Sequence, residues 1–74
     1  MADKKTSYEK IKDYLKSNQA NNCIISPCFY DPNHYLLSIY SFNRLLLQFV
    51  LTTEYAAERF AQGLMLNLEI KKEI

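Results

Sequence analysis

The first part of the chain alternates apolar and charged positions with the period of a helix. Tyr8, Ile11 and Leu15 lie three and four positions apart, and most residues between them are charged. Ser7 or the threonine before it can cap the first turn, because a hydroxyl oxygen accepts a hydrogen bond from a free backbone N–H. The pattern predicts an amphipathic helix over residues 7–18, ended by the polar run that follows.

A short apolar segment over residues 23–30 comes after the polar run. Ile24, Ile25 and Phe29 favour a strand, because β-branched and aromatic side chains pack well on a pleated surface. Pro27 has no N–H to give to a neighbouring strand. We therefore expect an edge strand here.

Residues 35–51 form the longest apolar segment, and their pattern fits two structures. In the first, Tyr35–Ser41 and residues 45–51 are the strands of a hairpin, with Arg44 and Gln48 facing outward. The side chains that would face the core alternate along the second strand: Leu45, Leu47, Phe49 and Leu51.

In the second structure, a single helix capped by Asp31 spans the segment. Its polar residues would then recur at near-helical spacing: His34, Ser38, Ser41, Arg44 and Gln48. The aromatic and β-branched residues of the first half favour strands, and Thr53 with its neighbours is typical of the cap of a separate helix. We therefore expect two strands.

A second amphipathic helix is predicted over residues 53–68. Its apolar side chains lie on one side: Ala56, Ala57, Phe60, Ala61 and Leu64. Gly63, the single glycine of the chain, can end this helix or weaken it.

The predicted fold is one α+β domain of residues 1–74, in the order helix, strand, strand, strand, helix, with frayed ends at residues 1–5 and 71–74. Both helices lie on one face of an antiparallel sheet. The rival is an all-α three-helix domain. Simple alternation places an apolar set on the other sheet face: Leu36, Tyr40, Leu46 and Val50. Such a patch is typical of a surface that a partner covers, and a homodimer through it is one alternative.

Composition excludes several classes of protein. Nine basic and eight acidic residues leave a net charge of +1, which does not favour general polyanion binding. The charged N-terminus does not resemble a secretion signal, and no apolar run reaches the roughly 18 residues of a membrane span. Cys23 and Cys28 lie five positions apart, too far for a disulfide in an extended segment. We therefore expect two free thiols in a cytoplasmic protein that does not bind a membrane.

Candidates for catalysis are few. A single glycine excludes the glycine-rich phosphate loop and the nucleophile elbow. His34 follows Asp31 and Pro32 in what reads as an exposed turn, and the two cysteines lack the short spacing of a zinc site. A ribonuclease-type set of Arg44, His34 and a tyrosine is the remaining enzymatic alternative, which the near-neutral charge disfavours. We expect no enzyme, no cofactor and no metal site.

The order of elements is similar to the layout of a double-stranded-RNA-binding domain, over nearly the whole chain. That family holds phosphates with lysines at the start of its second helix. This chain has other residues there: Thr52, Thr53, Glu54, Tyr55, Ala56 and Ala57. The resemblance is one of topology, and a nucleic-acid-binding or regulatory module is the alternative function.

Six tyrosines and four phenylalanines are more aromatic side chains than so small a core can bury. Exposed aromatic rings and arginine are favoured anchors at protein interfaces. The predicted protein-binding residues surround the proposed hairpins: Tyr30, Tyr35, Tyr40, Phe42 and Arg44. We expect a non-enzymatic protein that binds a larger intracellular protein or complex and inhibits or modulates it, as small proteins of viruses and mobile elements do.

Overall fold

The computed structural model describes residues 6–64 and 67–73 of the 74-residue chain. Its helices and strands follow one another in this order: α1 Ser7–Ser17, β1 Asn22–Pro27, β2 Tyr35–Ser41, β3 Arg44–Leu51, α2 Glu54–Leu64 and β4 Glu69–Lys72. The α+β prediction is confirmed, and residues 35–51 are two strands rather than one helix. Within residues 6–64 and 67–73, neither α1 nor α2 is long and apolar enough to cross a membrane.

Helix α1 begins at a capping box. The Glu9 N–H donates to the Thr6 hydroxyl at 3.1 Å, and the Thr6 N–H donates to a Glu9 carboxylate oxygen at 3.1 Å. Two backbone groups at the helix start are thereby satisfied. Leu15 on the apolar face is completely buried, so α1 packs against the core as its periodicity predicted.

The four strands form one sheet in the order β3-β2-β1-β4. Strand β2 pairs antiparallel with β1 on one side and with β3 on the other, as predicted. Strand β4 was not predicted, and it pairs parallel with β1, so the sheet is mixed. The sequence placed Lys71 and Lys72 in a frayed end, whereas the structure pairs them with Ile24 and Ile25 of β1. Residues 1–5 and 74 lie outside the described part of the chain.

The prediction that β1 is an edge strand is wrong, because β1 lies between β2 and β4. Pro27 is tolerated because of its place along the strand. It pairs with Tyr35 of β2, but β4 pairs only with β1 residues 22–25. Pro27 thus lies beyond the stretch of β1 that pairs with β4. Its missing N–H therefore removes no hydrogen bond between these two strands.

One core lies between the sheet and the two helices. Its largest fully buried side chains come from α1, β1, β2 and α2: Leu15, Cys23, Ile25, Leu37, Ile39 and Leu64. Ala57 and Ala61 of α2 are also completely buried, and such small side chains let this helix approach the sheet closely. Because both helices contribute to the same cluster, both lie on the same sheet face, as predicted.

A β-bulge changes which side chains of β3 face the core. Tyr40 pairs with Leu45, but the next pair skips Leu46 and joins Ile39 to Leu47. Leu45 therefore shares the open face with Tyr40 and is 46% exposed. Leu46 packs against the core instead. Simple alternation predicted Leu45 on the core face and Leu46 on the open face, because it does not allow for an inserted residue.

Gly63 lies where Tyr8 of α1 meets α2. A Cβ at Gly63 would lie 2.6 Å from the Tyr8 hydroxyl oxygen, so the tyrosine would have to move. In a Tyr8→Phe background this clash is absent, and Gly63→Ala should add about 1 kcal/mol of stability from helix propensity. In the natural background we expect a smaller gain in stability. Urea unfolding of the natural chain, Tyr8→Phe, Gly63→Ala and the double variant measures both gains. Equal gains in both backgrounds would show that the tyrosine hydroxyl does not restrict this position.

Candidate functional site

The structure separates the five predicted binding residues into two groups at opposite ends of β2. Tyr30 and Tyr35 lie at the end where β1 connects to β2. Tyr40, Phe42 and Arg44 lie at the end where β2 turns into β3. Strand β2 has seven residues, which span roughly 20 Å. The five side chains therefore do not form a single site.

Residues 28–34, which join β1 to β2, form a closed loop with two exposed rings. The Cys28 N–H donates to the His34 carbonyl at 3.0 Å across the base of the loop. Phe29 is 88% exposed and Tyr30 is 64% exposed. Their ring centroids lie 4.9 Å apart in an edge-to-face arrangement. Sequence reasoning selected Tyr30 but missed Phe29, although a large apolar residue at a loop tip is a usable signal.

Polar contacts hold the side chains of this loop in place. The Oδ2 atom of Asp31 lies 2.7 Å from Nδ1 of His34, and its Oδ1 accepts a hydrogen bond from the Asn33 N–H at 3.1 Å. A hydrogen bond with the Cys28 side chain raises the pKa of the Tyr30 phenol, because the bond favours the protonated hydroxyl. His34 closes a turn, as the sequence predicted, because its N–H donates to the Asp31 carbonyl at 3.1 Å, but it is partly buried rather than exposed.

Two of the predicted binding residues make contacts within the protein. Tyr35 is partly buried and packs against the core. Arg44 is exposed, and its Nη2 donates to Oδ1 of Asn18 at 3.3 Å. Nδ2 of Asn18 in turn donates to the Tyr14 carbonyl at 2.8 Å, so the guanidinium is tied to the end of α1. Tyr35 and Tyr40 are both partly buried and therefore offer less surface to a partner than Tyr30, Phe42 and Arg44, which are exposed.

The turn between β2 and β3 holds an exposed aromatic side chain in an unusual backbone conformation. Phe42 has a φ of 57°, in the left-handed region that glycine and asparagine adopt more readily. Its ring is 66% exposed, so burial in the monomer does not offset the cost of that conformation. The Phe42 N–H donates to Oδ1 of Asn21 at 2.8 Å, which fixes the turn against the loop before β1.

An open groove of about 220 Å³ lies beside this turn, and we call it the hairpin groove. Five residues line it: Asn22, Ile24, Tyr40, Phe42 and Asn43. Oδ1 of Asn22 is buried and accepts no hydrogen bond from the described residues. Sequence reasoning selected Tyr40 and Phe42. It missed Asn22 and Asn43, because asparagines in polar runs are usual loop residues.

The hairpin groove continues into the open face of the sheet, which the helices leave uncovered. The strand pairing places these apolar residues on it: Ile24, Leu36, Tyr40, Leu45 and Val50. Near its middle, Nε2 of Gln48 donates to the Ser38 hydroxyl at 3.1 Å, and Ser38 is only 5% exposed. This polar pair lies between the apolar residues at the two ends of the open face.

The basic side chains that the structure describes are spread over α1, α2, β3 and β4. Nζ of Lys72 lies 3.0 Å from a Glu54 carboxylate oxygen and 3.4 Å from one of Glu58. Lys12 and Arg59 lie over tyrosine rings. Within residues 6–64 and 67–73, no group of three or more metal-ligating side chains is positioned to hold a metal ion.

Both cysteines are unpaired and buried, so the expectation of free thiols is confirmed. Burial raises the pKa of Cys23 to about 11 from its ordinary value of 9.0. Since the thiolate is the nucleophilic form, this thiol is unreactive near neutral pH. Cys23 is therefore a core residue and adds nothing to a reactive site.

No protein-family model, no curated protein and no solved structure matches this chain. Function must then be inferred from the geometry. The most informative feature is an exposed ring in a strained turn, beside a groove that opens onto an uncovered sheet face.

Proposed function

We propose that this chain is a non-enzymatic protein-binding module whose contact surface is the hairpin groove, with Phe42 as its anchor. By covering part of a larger intracellular protein or complex, the module inhibits or modulates that partner. Two unpaired buried thiols support a reducing compartment as its place of action.

The observation that carries this proposal is the conformation of Phe42. A phenylalanine in the left-handed region costs about 1–2 kcal/mol, and glycine or asparagine at this position would avoid much of that cost. Because the Phe42 ring is exposed, its packing adds little to the stability of the folded monomer. A pocket on a partner would bury it, and aromatic anchors of this kind contribute about 2 kcal/mol or more to binding. Strain at an accessible side chain is a recurring mark of a functional site.

The rest of the groove suits a protein surface. Ile24 and Tyr40 supply apolar contact area, while the amides of Asn22 and Asn43 supply hydrogen-bonding groups. The hydrogen bond from Phe42 to Asn21 holds the turn before binding, so little conformational entropy is lost.

Replacing Phe42 with asparagine tests the proposal. Asparagine accepts the left-handed conformation, so Phe42→Asn should leave the free energy of unfolding unchanged or raise it by about 1 kcal/mol. Binding to the partner should weaken at least about tenfold, because the anchor ring is gone. The measurements are urea unfolding, and quantitative capture of partners by the tagged chain from the cells that produce it.

Nuclease treatment of the captured material distinguishes the alternative function. A stoichiometric protein that survives the treatment and is lost with Phe42→Asn supports the proposal. A protein retained equally by both chains would contradict the role of Phe42. Loss of all partners on nuclease treatment would contradict protein binding and favour a nucleic-acid-binding module.

A further inference from the structure

Residues 18–21, which join α1 to β1, leave the helix in one defined direction. The Gln19 N–H donates to the Lys16 carbonyl at 3.1 Å. The Ala20 N–H donates to the Leu15 carbonyl at 2.9 Å, and both of these side chains are buried in the core. Gln19 has a φ of 58°, so the two bonds form a Schellman motif, which ends a helix in a fixed geometry.

Asn21, at the end of this loop, is fastened to two strands through its backbone. Its N–H donates to the Tyr40 carbonyl of β2 at 3.0 Å, and its carbonyl accepts from the Glu69 N–H of β4 at 3.1 Å. Neither bond uses the side chain, whose Oδ1 accepts from the Phe42 N–H at 2.8 Å. Asn21 therefore joins the two-residue turn of Phe42 and Asn43, which we call the Phe42 turn, to both strands.

We propose that Asn21 is a positioning residue for binding, which holds the Phe42 turn in the conformation that presents the ring to a partner. This inference rests on the proposed function of Phe42 as the anchor. A left-handed phenylalanine is disfavoured, so without this bond the turn would spend part of its time in other conformations. Asn21 does not line the hairpin groove, so it acts through Phe42 and not on the partner.

A positioning residue and a contact residue have different effects on binding kinetics. A partner binds only the fraction of molecules whose Phe42 turn is already in the binding conformation, so a smaller fraction slows association. The dissociation rate depends on the contacts that the partner itself makes, and the Asn21 side chain makes none of them. Loss of the bond to Phe42 should therefore slow association by about fivefold and leave dissociation unchanged.

Three variants test this role by surface plasmon resonance. The immobilised probe is the protein that the natural chain captures and retains after nuclease treatment. Asn21→Ala removes the acceptor oxygen and should show the slowed association, whereas Asn21→Asp keeps an acceptor oxygen there and should associate at the natural rate. Asn18→Ala is the matched control, because Oδ1 of Asn18 accepts from the Arg44 side chain rather than from the turn backbone. It should show both natural rates.

Amide exchange of the Phe42 N–H tests the bond without a partner or a variant. Phe42 lies in an exposed turn, yet we expect its N–H to exchange at least about tenfold more slowly than in an unstructured peptide, because Asn21 accepts it. An unprotected N–H would overturn the proposal. So would natural rates for Asn21→Ala, a change in its dissociation rate alone, or slow association of Asn21→Asp or Asn18→Ala.

The same measurements separate this inference from the proposal on which it rests. If Phe42→Asn leaves binding unchanged, the ring is not the anchor and the proposed function fails. If Phe42→Asn weakens binding while Asn21→Ala keeps the natural rates, the anchor stands and only the positioning role of Asn21 is contradicted.

Discussion

Leu37→Ala is expected to lower the free energy of unfolding by about 2–5 kcal/mol, a large part of the stability of so small a domain. Leu37 is completely buried in the middle of β2, between Ile25 of β1 and Phe49 of β3. Truncation would leave a cavity between the sheet and the helices, because paired strands on both sides hold the backbone in place. Urea unfolding followed by circular dichroism measures the loss.

Leu36→Ala is the matched control, because it makes the same chemical change one residue earlier. Leu36 lies on the open face opposite Val50, which is 45% exposed. We expect a loss of about 1 kcal/mol or less, since little cavity forms on an uncovered face. Equal losses from the two leucines would contradict the assignment of one face of β2 to the core and the other to the open side.

Raising the pH above 9 is expected to destabilise the fold through Cys23. Its pKa is about 11 in the folded chain, against an ordinary value of 9.0. Between these values the unfolded chain loses the thiol proton while the folded chain keeps it, so stability falls as pH rises. The slope approaches about 1.4 kcal/mol per pH unit, and the loss over the whole window is about 3 kcal/mol. Below pH 9 this contribution is fully present.

Cys23→Ala separates this effect from the titration of tyrosines and lysines in the same range. The variant lacks the thiol, so its stability should fall less steeply between pH 9 and 11 than that of the natural chain. Urea unfolding at a series of pH values gives both slopes. Parallel slopes would show that Cys23 is not the group responsible.

The hairpin of β2 and β3 could be predicted from the sequence, because alternation and β-branched content act over seven or eight residues. The bulge could not. Nothing in the run Leu45, Leu46, Leu47 distinguishes the inserted residue, since all three side chains are identical. The faces of Leu45 and Leu46 are therefore decided by tertiary pairing.

Strand β4 escaped prediction because three of its four residues are charged and Ile70 is the only β-branched residue among the four. It forms because β1 presents a long open edge to it. The same pairing moved β1 from the predicted edge to the interior. Pro27 indicates where the pairing of β1 with β4 ends, rather than that β1 is an edge strand.

The candidate site was predicted in part. High aromatic content pointed to Tyr40 and Phe42, which line the hairpin groove. It also pointed to Tyr35, which packs against the core, because residue type does not report which face a side chain occupies. The left-handed conformation of Phe42 results from a two-residue turn between β2 and β3, whereas the strands expected from the sequence, residues 35–41 and 45–51, leave three residues between them.

The most direct test of the binding surface compares Phe42→Asn with Phe29→Asn in the same capture experiment. Both changes replace an exposed phenylalanine with the same amide, at positions 66% and 88% exposed. The two positions lie at opposite ends of β2. We expect Phe42→Asn to weaken partner binding at least about tenfold and Phe29→Asn to leave it unchanged. Equal effects, or loss with Phe29→Asn alone, would contradict the assignment of binding to the hairpin groove.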